Sequence, residues 1–387
     1  MDLKDNLKAE ALALGFSFLS VTDCSAPASY TVYQQWLGRG HHAGMAYLAN
    51  DRSKMMRREP ALFVTGCRSI LLVVLPFAMT PYDPPHGLIG RVAAYACAVD
   101  YHHVIPELLR RLLASLPSSV SGTNLHRVFT DSAPILERDL AQRAGAGYIG
   151  KNSCLIRPGE GSYFLLGEAF IETSLEPDAP FTADRCGNCQ RCIQTCPTAC
   201  ILPDRTIDAN RCISYLTIEN RGSIPRELRS LIGNWVFGCD ICQQICPWNK
   251  FAAQRDSKTV LEYKPELAFP DLLREIQITA DEFKLKYQNT PILRAKHRGY
   301  LRNIVVALGN SGDENAAAPL EDIVVHHPDA MIRAHACWAL GQICTPTARR
   351  ALAKRATAET DPTVIEEILA ALTGSTHQQR NTLPNNA

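Results

Sequence analysis

The sequence predicts an α/β domain, a cysteine-rich cluster-binding domain and an all-α repeat domain, in that order. Three observations support this division of the 387 residues: strand-like and helix-like segments alternate up to residue 175, most of the fifteen cysteines lie between residues 186 and 246, and an apolar motif recurs after residue 299. A chain of this length accommodates two or three domains. The net charge of +1 predicts no general attraction to nucleic acid or membrane, so any polyanion must bind at a local patch.

Residues 1–175 are predicted to form the α/β domain. Apolar and β-branched runs predict five strands, at Phe16–Val21, Ser69–Leu75, Val92–Ala98, Arg127–Thr130 and Tyr163–Ile171. Helical periodicity predicts helices over Val104–Ser115 and Pro134–Ala144, and an amphipathic N-terminal helix marked by Leu3, Leu7 and Leu14. Prolines predict a loop over residues 80–87 and a linker over residues 174–182.

The N-terminus has neither a signal peptide nor a twin-arginine leader. The apolar run Ile70–Leu75 is too short to cross a bilayer. We therefore expect a soluble, cytoplasmic protein, and in that compartment clustered cysteines indicate metal rather than disulfides.

The cysteine spacing predicts two [4Fe–4S] clusters in a ferredoxin-like domain at residues 176–250. The run Cys186-x2-Cys189-x2-Cys192-x3-Cys196-Pro197 is typical of bacterial ferredoxins, in which the last cysteine of each run ligates the other cluster. The second run has its first member displaced to Cys212. We assign the first cluster to Cys186, Cys189, Cys192 and Cys246, and the second to Cys196, Cys212, Cys239 and Cys242.

The alternative is a pair of structural zinc sites, but zinc needs four ligands per site and has no use for the interleaved run. Cys200 competes with Cys212 as the fourth ligand of the second cluster. The remaining cysteines are interpreted as ordinary core or surface thiols: Cys24, Cys67, Cys97, Cys154, Cys337 and Cys344.

The C-terminal part shows an internal repeat. Ala307-Leu308-Gly309 recurs as Ala339-Leu340-Gly341, and Leu301 recurs as Ile332 and Val364. This spacing predicts stacked helix pairs that resemble HEAT repeats over residues 299–374. Residues 251–298 are predicted to be a helical connection, and the polar tail at 375–387 to be disordered.

Taken together, the motifs resemble those of epoxyqueuosine reductases over nearly the whole chain. The resemblance rests on the two cysteine runs, the terminal repeats, and five short motifs: Tyr95-Ala-x-Ala-x-Asp100-Tyr101-His102, Thr130-Asp131-Ser132-Ala133-Pro134, Gly147-Tyr-Ile-Gly-Lys151-Asn152, Cys212-Ile-Ser-Tyr-Leu-Thr-Ile-Glu219 and Cys246-Pro-Trp-Asn249. One departure is Ala96-Cys97-Ala98, where that family would have Trp and Gly; we expect it to alter packing near the corrin.

The resemblance implies a nitroreductase-like α/β domain that binds cobalamin, whose cobalt is reduced by the two clusters. It implies reduction of epoxyqueuosine at the anticodon wobble position of tRNA, with the epoxide oxygen leaving as water. We expect a monomer that takes electrons from a separate donor. The implied cobalamin contacts are Arg57, Tyr95, Cys97, Asp131, Lys151, Asn152, Ser153, Ser162, Leu166, Gly167 and Ser214.

By the same resemblance Asp131 is the general acid that protonates the leaving oxygen. From the residues alone, Asp131 also fits a helix N-cap, where the helix dipole would favour its charged form. His102 and His103 invite interpretation as cobalt ligands, but the glycine of the Asp-x-His-x-x-Gly pattern is missing. We interpret His102 as structural.

Two further segments have a functional and a plain interpretation. The glycine-rich segment 147–152 contacts cobalamin by resemblance and is otherwise an ordinary turn. Cationic side chains near the start of the repeats suit tRNA phosphates, although a solvated helix face explains them equally; they include Arg294, Lys296, Arg298 and Arg302.

Two competing functions share the cluster pattern. A reductive dehalogenase also combines cobalamin with two clusters, but an export signal and the absence of terminal repeats would be expected there. A plain electron-transfer protein would leave residues 1–175 without a role.

Overall fold

The computed structural model describes residues 3–62, 64–80, 85–115, 127–253 and 260–374. Its strands are β1 (Phe18–Thr22), β2 (Ser69–Pro76), β3 (Arg91–Val92), β4 (Arg127–Phe129), β5 (Tyr148–Ile149), β6 (Leu155–Ile156), β7 (Phe164–Ile171) and β8 (Trp235–Phe237). Its helices up to residue 253 are α1 (Leu3–Ala13), α2 (Tyr30–Gly38), α3 (Ala46–Ala49), α4 (Asp51–Arg58), α5 (Tyr101–Ala114), α6 (Glu137–Arg143), α7 (Arg191–Thr195), α8 (Ile213–Ile218), α9 (Arg226–Arg229), α10 (Ile241–Gln244) and α11 (Lys250–Ala253).

The later helices are α12 (Leu272–Glu275), α13 (Ala280–Lys286), α14 (Lys296–Ser311), α15 (Ala317–His326), α16 (Ala330–Ile343), α17 (Pro346–Ala356) and α18 (Pro362–Leu372). None of the helices within the described ranges is both long enough and apolar enough to span a bilayer.

The N-terminal domain is built on an antiparallel sheet of order β1-β2-β7-β4. Strand β2 is buried along its whole length because alternate side chains enter two cores. Leu71 and Val73 pack with α1 and α5 on one face, and Leu72 and Val74 pack with α6 on the other. Four of the five predicted strands are therefore confirmed, with shifted ends.

The predicted strand Val92–Ala98 is wrong for most of its length. Only Arg91–Val92 forms a strand, β3, which pairs in parallel with β8 from the cysteine-rich part of the chain. The chain then turns into a 3-10 helix at Ala94–Ala96. The amide of Ala94 donates to the buried carboxylate of Asp240 at 2.6 Å, which replaces a strand hydrogen bond.

The linker predicted at 174–182 has no regular secondary structure, but it is fixed to the domain. Asp178 accepts a hydrogen bond from the amide of Val21 at 2.9 Å and forms ion pairs with Lys4 and Lys8. The linker therefore holds α1 against the sheet. Of the other predicted irregular segments, residues 81–84 of the loop and the tail from 375 lie outside the described residues.

The repeat domain explains the recurrence in the sequence. Helix α16 packs between α14 and α18, and each recurring glycine lies where two helices approach closely. A Cβ on Gly309 would lie 2.8 Å from the Cα of Ala339, and one on Gly341 would lie 2.7 Å from the Cβ of Ala371. The repeated glycine is therefore a helix-packing position. The first helix of the repeats, α14, begins at Lys296, slightly before the predicted start at residue 299.

The largest apolar core crosses the predicted domain boundaries. Residues between Cys212 and Cys239, including Leu216, Ile232 and Phe237, share this core with β3 and with the repeat helices. The part of the chain that separates the two cysteine runs thus attaches the cluster domain to both of its neighbours.

The helix contact at Gly309 yields a stability prediction. Gly309→Ala should destabilise the protein by about 1–3 kcal/mol because the new methyl group overpacks the α14–α16 contact. Gly299→Ala is the matched control in the same helix, since no atom lies within 4 Å of its added Cβ. That control should be neutral or stabilising by up to about 1 kcal/mol. Urea-unfolding midpoints followed by circular dichroism measure both; equal effects would contradict this account of the repeat.

Candidate active site

Asp131 lies in a loop between β4 and α6, in an uncommon backbone conformation. Its φ is 56°, in the left-handed region, which a short polar residue tolerates and which often marks functional sites. The residue capping α6 is Leu136, so the interpretation of Asp131 as a helix N-cap is wrong. The Asp131 side chain is 63% exposed.

Two neighbouring side chains hold the Asp131 carboxylate. The hydroxyl of Tyr101 donates to Oδ2 at 3.0 Å, and Nε2 of His102 lies 3.4 Å from the same oxygen. The other ring nitrogen of His102, Nδ1, lies 2.7 Å from Oδ1 of Asp100. Asp100 therefore fixes the imidazole so that it faces Asp131, and His102 belongs to the site rather than to the framework alone.

The pKa values of Asp131 and His102 are shifted in opposite directions, which favours a proton on His102. Desolvation raises the pKa of Asp131, but the hydrogen bonds of His102 and Tyr101 and the charge of Arg294 outweigh it, so the net pKa is lowered. Hydrogen bonds to Asp100 and then to Asp131 raise the pKa of His102 to about 9. At neutral pH the pair is therefore a carboxylate and an imidazolium.

A second carboxyl pair supports the Asp131 loop from behind. The amide of Asp131 donates to Oε1 of Glu137. Burial, followed by the charge of Asp131, raises the pKa of Glu137 to about 8. Glu168 in β7 is fully buried, and burial together with Glu137 raises its pKa well above the usual range. At neutral pH the pair therefore holds at least one proton and does not carry two negative charges behind the Asp131 loop.

Tyr95 connects the site around Asp131, which includes Tyr101 and His102, with the second set of cysteines. Its ring lies 6.1 Å from that of Tyr101 in an edge-to-face contact. The amide of the preceding residue binds Asp240, which directly follows the ligand Cys239. Gly238 permits the approach: its φ is 68°, and a Cβ there would lie 2.5 Å from the Cβ of Ala93. Tyr95, which contacts Tyr101 of the Asp131 site, is thus attached to the loop that carries Cys239.

The first predicted ligand set surrounds one cavity. Cys186, Cys189, Cys192 and Cys246 all line a space of about 330 Å³. Burial, and then the nearby charges of Cys186 and Cys192, raise the pKa of Cys246 to about 11. The ammonium of Lys151 donates to the carbonyls of Gly187 and Cys189 at 2.7 and 2.9 Å, which fixes the ligand loop.

The second predicted set also converges. Burial, and then the charges of Cys212 and Cys196, raise the pKa of Cys239. Two further thiols adjoin this set. Cys200 Sγ lies 3.4 Å from Cys196 Sγ, and its hydrogen bond lowers the pKa of Cys212. Cys154, which we had interpreted as an ordinary thiol, hydrogen-bonds to Cys242 and raises the pKa of that ligand.

Among the described residues, no three His, Cys, Asp or Glu side chains are placed to hold one metal ion. A cubane distributes its four thiolates over four irons, so its ligands need not converge on a single atom.

Several of the expected cobalamin contacts serve the protein interior instead. Cys97 is fully buried, and its thiol faces the carbonyls of Val92 and Ala93, so the expected contact through this side chain is wrong. Gly167 lies beneath α5, where a Cβ would meet Ile105 at 2.4 Å, and it too is a packing residue.

Three more of these residues are committed to internal partners. Asn152 donates to the carbonyl of Cys242, and the hydroxyl of Ser162 donates to Gln243. Arg57 is buried with its guanidinium over the ring of Tyr33, 5.4 Å from the centroid. Besides the exposed Asp131 and Lys151, which is bound to the ligand loop, the remaining members of the expected set are the half-buried Tyr95, Ser153, Leu166 and Ser214.

The basic segment at the start of the repeats is mostly neutralised. Arg302 is fully buried and donates to the carbonyls of Leu216 and Gly222, so the expectation that it contacts phosphate is wrong. Arg298 is paired with Asp329. Arg294 donates to both carboxylate oxygens of Glu219, at 2.6 and 3.0 Å, yet remains 54% exposed, and its charge acts on Asp131. Lys296 is exposed.

Sequence reasoning missed Glu137, Glu168 and the role of His102. Glu168 carried a usable signal, since a carboxylate inside the predicted apolar strand Tyr163–Ile171 has no structural reason to be there. Glu137 carried none, because an acidic residue in the first turn of a helix is ordinary.

Family models match three parts of the chain. Residues 57–132 match "Epoxyqueuosine reductase QueG, DUF1730", residues 185–249 match a 4Fe-4S double cluster binding domain, and residues 289–373 match HEAT repeats. The predicted clusters and the HEAT-like repeats are thereby confirmed.

Whole-chain comparisons agree with these matches. The epoxyqueuosine reductase of Xanthomonas campestris is 39% identical over 347 residues, covering 88% of this chain and 96% of that protein. The structure of the Bacillus subtilis epoxyqueuosine reductase with its catalytic aspartate loop swung out of the active site has a TM-score of 0.87 at 29% identity, covering 96% of this chain and 98% of that one. A crystal structure of epoxyqueuosine reductase with an epoxyqueuosine-modified tRNA-Tyr stem loop has the same TM-score, identity and coverage.

The thiol arrangement yields a prediction about ligand identity. Cys212→Ala should remove the second cluster and reduce the iron content from about eight to about four per chain. Cys200→Ala should retain about eight, since Cys200 is assigned no iron. Iron and sulfide analysis after anaerobic reconstitution measures both variants. Loss of iron in Cys200→Ala with full retention in Cys212→Ala would reverse the assignment.

Proposed function

The chain belongs to the epoxyqueuosine reductase family, and on that premise we propose that it reduces epoxyqueuosine in the anticodon of tRNA to queuosine with a cobalamin bound beside Asp131. It is an oxidoreductase with two [4Fe–4S] clusters. Removing the epoxide oxygen as water consumes two electrons and two protons, so the site must supply both.

We propose that the residues around Asp131 form the cleft for cobalamin and substrate, and one observation carries this: through Ala94 and Tyr95, the loop that bears Cys239 contacts Tyr101, which holds the exposed Asp131. The Ala94–Asp240 hydrogen bond and the Tyr95–Tyr101 contact connect the two within a few residues. Electrons stored on the clusters and a proton-bearing group are therefore brought close together. This arrangement suits a reduction in which each cluster passes on single electrons.

The residues around the cleft suit a cobalamin, which has polar amide groups around an apolar ring. Tyr95 and Leu166 are half-buried and offer apolar surface, while the half-buried Ser153 and Ser214, next to Cys154 and two residues after Cys212 in the chain, offer hydroxyls. We propose that these residues and Asp131 hold it on a nitroreductase-like domain. When bound, a reduced cobalamin supplies a nucleophile and electron donor stronger than any side chain.

Asp131 and His102 supply the proton to the leaving oxygen. In the open cleft Asp131 is ionised and the proton lies on His102. When cobalamin and substrate cover the cleft, the loss of water favours the neutral pair, so the proton moves from His102 Nε2 to Asp131 Oδ2. Asp131 then protonates the oxygen as a general acid, and after the pair is reprotonated from solvent it supplies the second proton that releases the oxygen as water. The catalytic aspartate loop of the B. subtilis relative supports this choice of acid.

tRNA would enter at the edge of the cleft that carries Arg294. This side chain is exposed, acts electrostatically on Asp131, and is oriented by Glu219. Arg302 is excluded because it is fully buried. Arg298 is paired and exposed like Arg294, but it is the charge of Arg294 that acts on Asp131. We therefore propose phosphate contacts by Arg294 and the neighbouring Lys296, close to the modified nucleotide.

Asp131→Asn should keep both clusters and lower the single-turnover rate on epoxyqueuosine-containing tRNA by about 10²–10⁴-fold, because the acid is lost. The wild-type rate should also fall as the pH rises through about 9, where His102 loses its proton. His102→Gln should remove this pH dependence. Wild-type turnover in Asp131→Asn, with clusters intact, would contradict the acid role.

Arg294→Ala should weaken binding of an anticodon stem loop and reduce the slope of log affinity against log salt by about 0.7–0.9, the value of one phosphate contact. Arg298→Ala is the matched control, since it also removes one paired arginine from the same segment. Its salt slope should equal that of wild type. Identical slopes in wild type, Arg294→Ala and Arg298→Ala would show that Arg294 does not contact a tRNA phosphate.

A further inference from the structure

The cavity of the first thiolate set has a strongly cationic lining. Besides the four cysteines, four positively charged residues line it, and the lining among the described residues includes no Asp or Glu. The four are Lys151, Arg185, Arg191 and Lys250. On a chain whose net charge is only +1, this is a local concentration of charge.

Two of these cationic side chains have no polar partner within the described part of the chain. Arg185 and Arg191 are exposed, and their side chains form no hydrogen bond or ion pair within the described part of the chain. Lys151 differs, because its ammonium is bound to the ligand loop. The contrast with the basic segment of the repeats is clear, since there Glu219 and Asp329 neutralise the arginines.

The lining of this cavity is also partly aromatic. Trp248 lines the cavity, and its indole Nε1 donates to the carbonyl of Arg185 at 3.4 Å. Its ring also meets Tyr148 edge-on, with centroids 6.5 Å apart. An ordered apolar wall flanked by unpaired cations is a suitable surface for a protein partner.

We propose that this face, defined by Arg185, Arg191 and Trp248, docks an acidic one-electron carrier protein that reduces the first cluster. The second thiolate set adjoins the Asp131 cleft, so the first set is the entry point for electrons. Each encounter moves one electron: the carrier is oxidised by one, the first cluster is reduced by one, and no bond or proton is transferred. A cationic rim selects a carrier with an anionic face and accelerates its approach.

The competing explanation is that the arginines only offset the negative charge of the thiolate-ligated cluster. In that case they would set its potential, and removing them would slow every reductant alike. Docking predicts instead an effect that depends on the charge and size of the reductant.

The test uses the full-length reconstituted protein and the double variant Arg185→Glu/Arg191→Glu. Loss of cluster absorbance is followed anaerobically after mixing with a reduced acidic flavodoxin or ferredoxin, and separately with reduced methyl viologen, a small cation. With the protein carrier, the wild-type rate constant should fall as salt rises, and the variant should be at least about tenfold slower at low salt. With methyl viologen the variant should not be slower.

The control variant Arg349→Glu/Arg350→Glu makes the same charge change on exposed residues of α17 and should behave as wild type. An EPR-monitored titration of the first cluster should give the same midpoint potential in all three proteins. Equal slowing by both reductants, a shifted potential, or an unchanged rate with the carrier would overturn the proposal. So would a loss of tRNA affinity with carrier reduction intact, which would make the face an RNA surface. No outcome depends on epoxide reduction, so the proposed function is tested separately.

Discussion

The hydrogen bond from the Ala94 amide to the Asp240 carboxylate is the contact on which the functional arrangement depends. Asp240 is buried, and burial raises its pKa to about 6, so the bond is formed in a low-dielectric setting where a lost partner would be costly. Together with the parallel β3–β8 pair, it holds a cluster-ligand loop against the segment that carries Tyr95. This segment in turn contacts Tyr101, which holds the Asp131 carboxylate.

The part of the chain between the cysteine runs gives this contact a rigid support. Arg302 and Asn303 of α14 donate to carbonyls of α8 and its neighbours, including Leu216 and Thr217, and all these groups are buried. The repeat domain therefore supports α8, the helix that directly follows the predicted ligand Cys212. This explains why Cys212 stands so far from Cys239: the intervening residues form a joint between three domains rather than a simple ferredoxin loop.

Local patterns predicted the elements and the ligand sets, because each depends on spacing along the chain. The cysteine runs, strand β2 and the recurring Gly309 position were accessible for that reason. The Glu137–Glu168 pair and the burial of Arg302 were not, since they depend on residues brought together from distant segments. The strand predicted at Val92–Ala98 is wrong beyond Val92 because Asp240, far along the chain, accepts the hydrogen bond of the Ala94 amide.

We propose that the clusters and the residues around Asp131 form one redox site around a cobalamin. The most direct measurement adds cobalamin to the reconstituted chain anaerobically and follows the visible spectra of corrin and clusters during stoichiometric reduction. We expect one cobalamin to bind per chain and the bound corrin to be reduced at the expense of the reduced clusters. This reduction should be lost in Asp240→Ala, which removes the Asp240–Ala94 contact, in protein that retains its clusters. Full turnover of epoxyqueuosine tRNA by a cobalamin-free protein would contradict it.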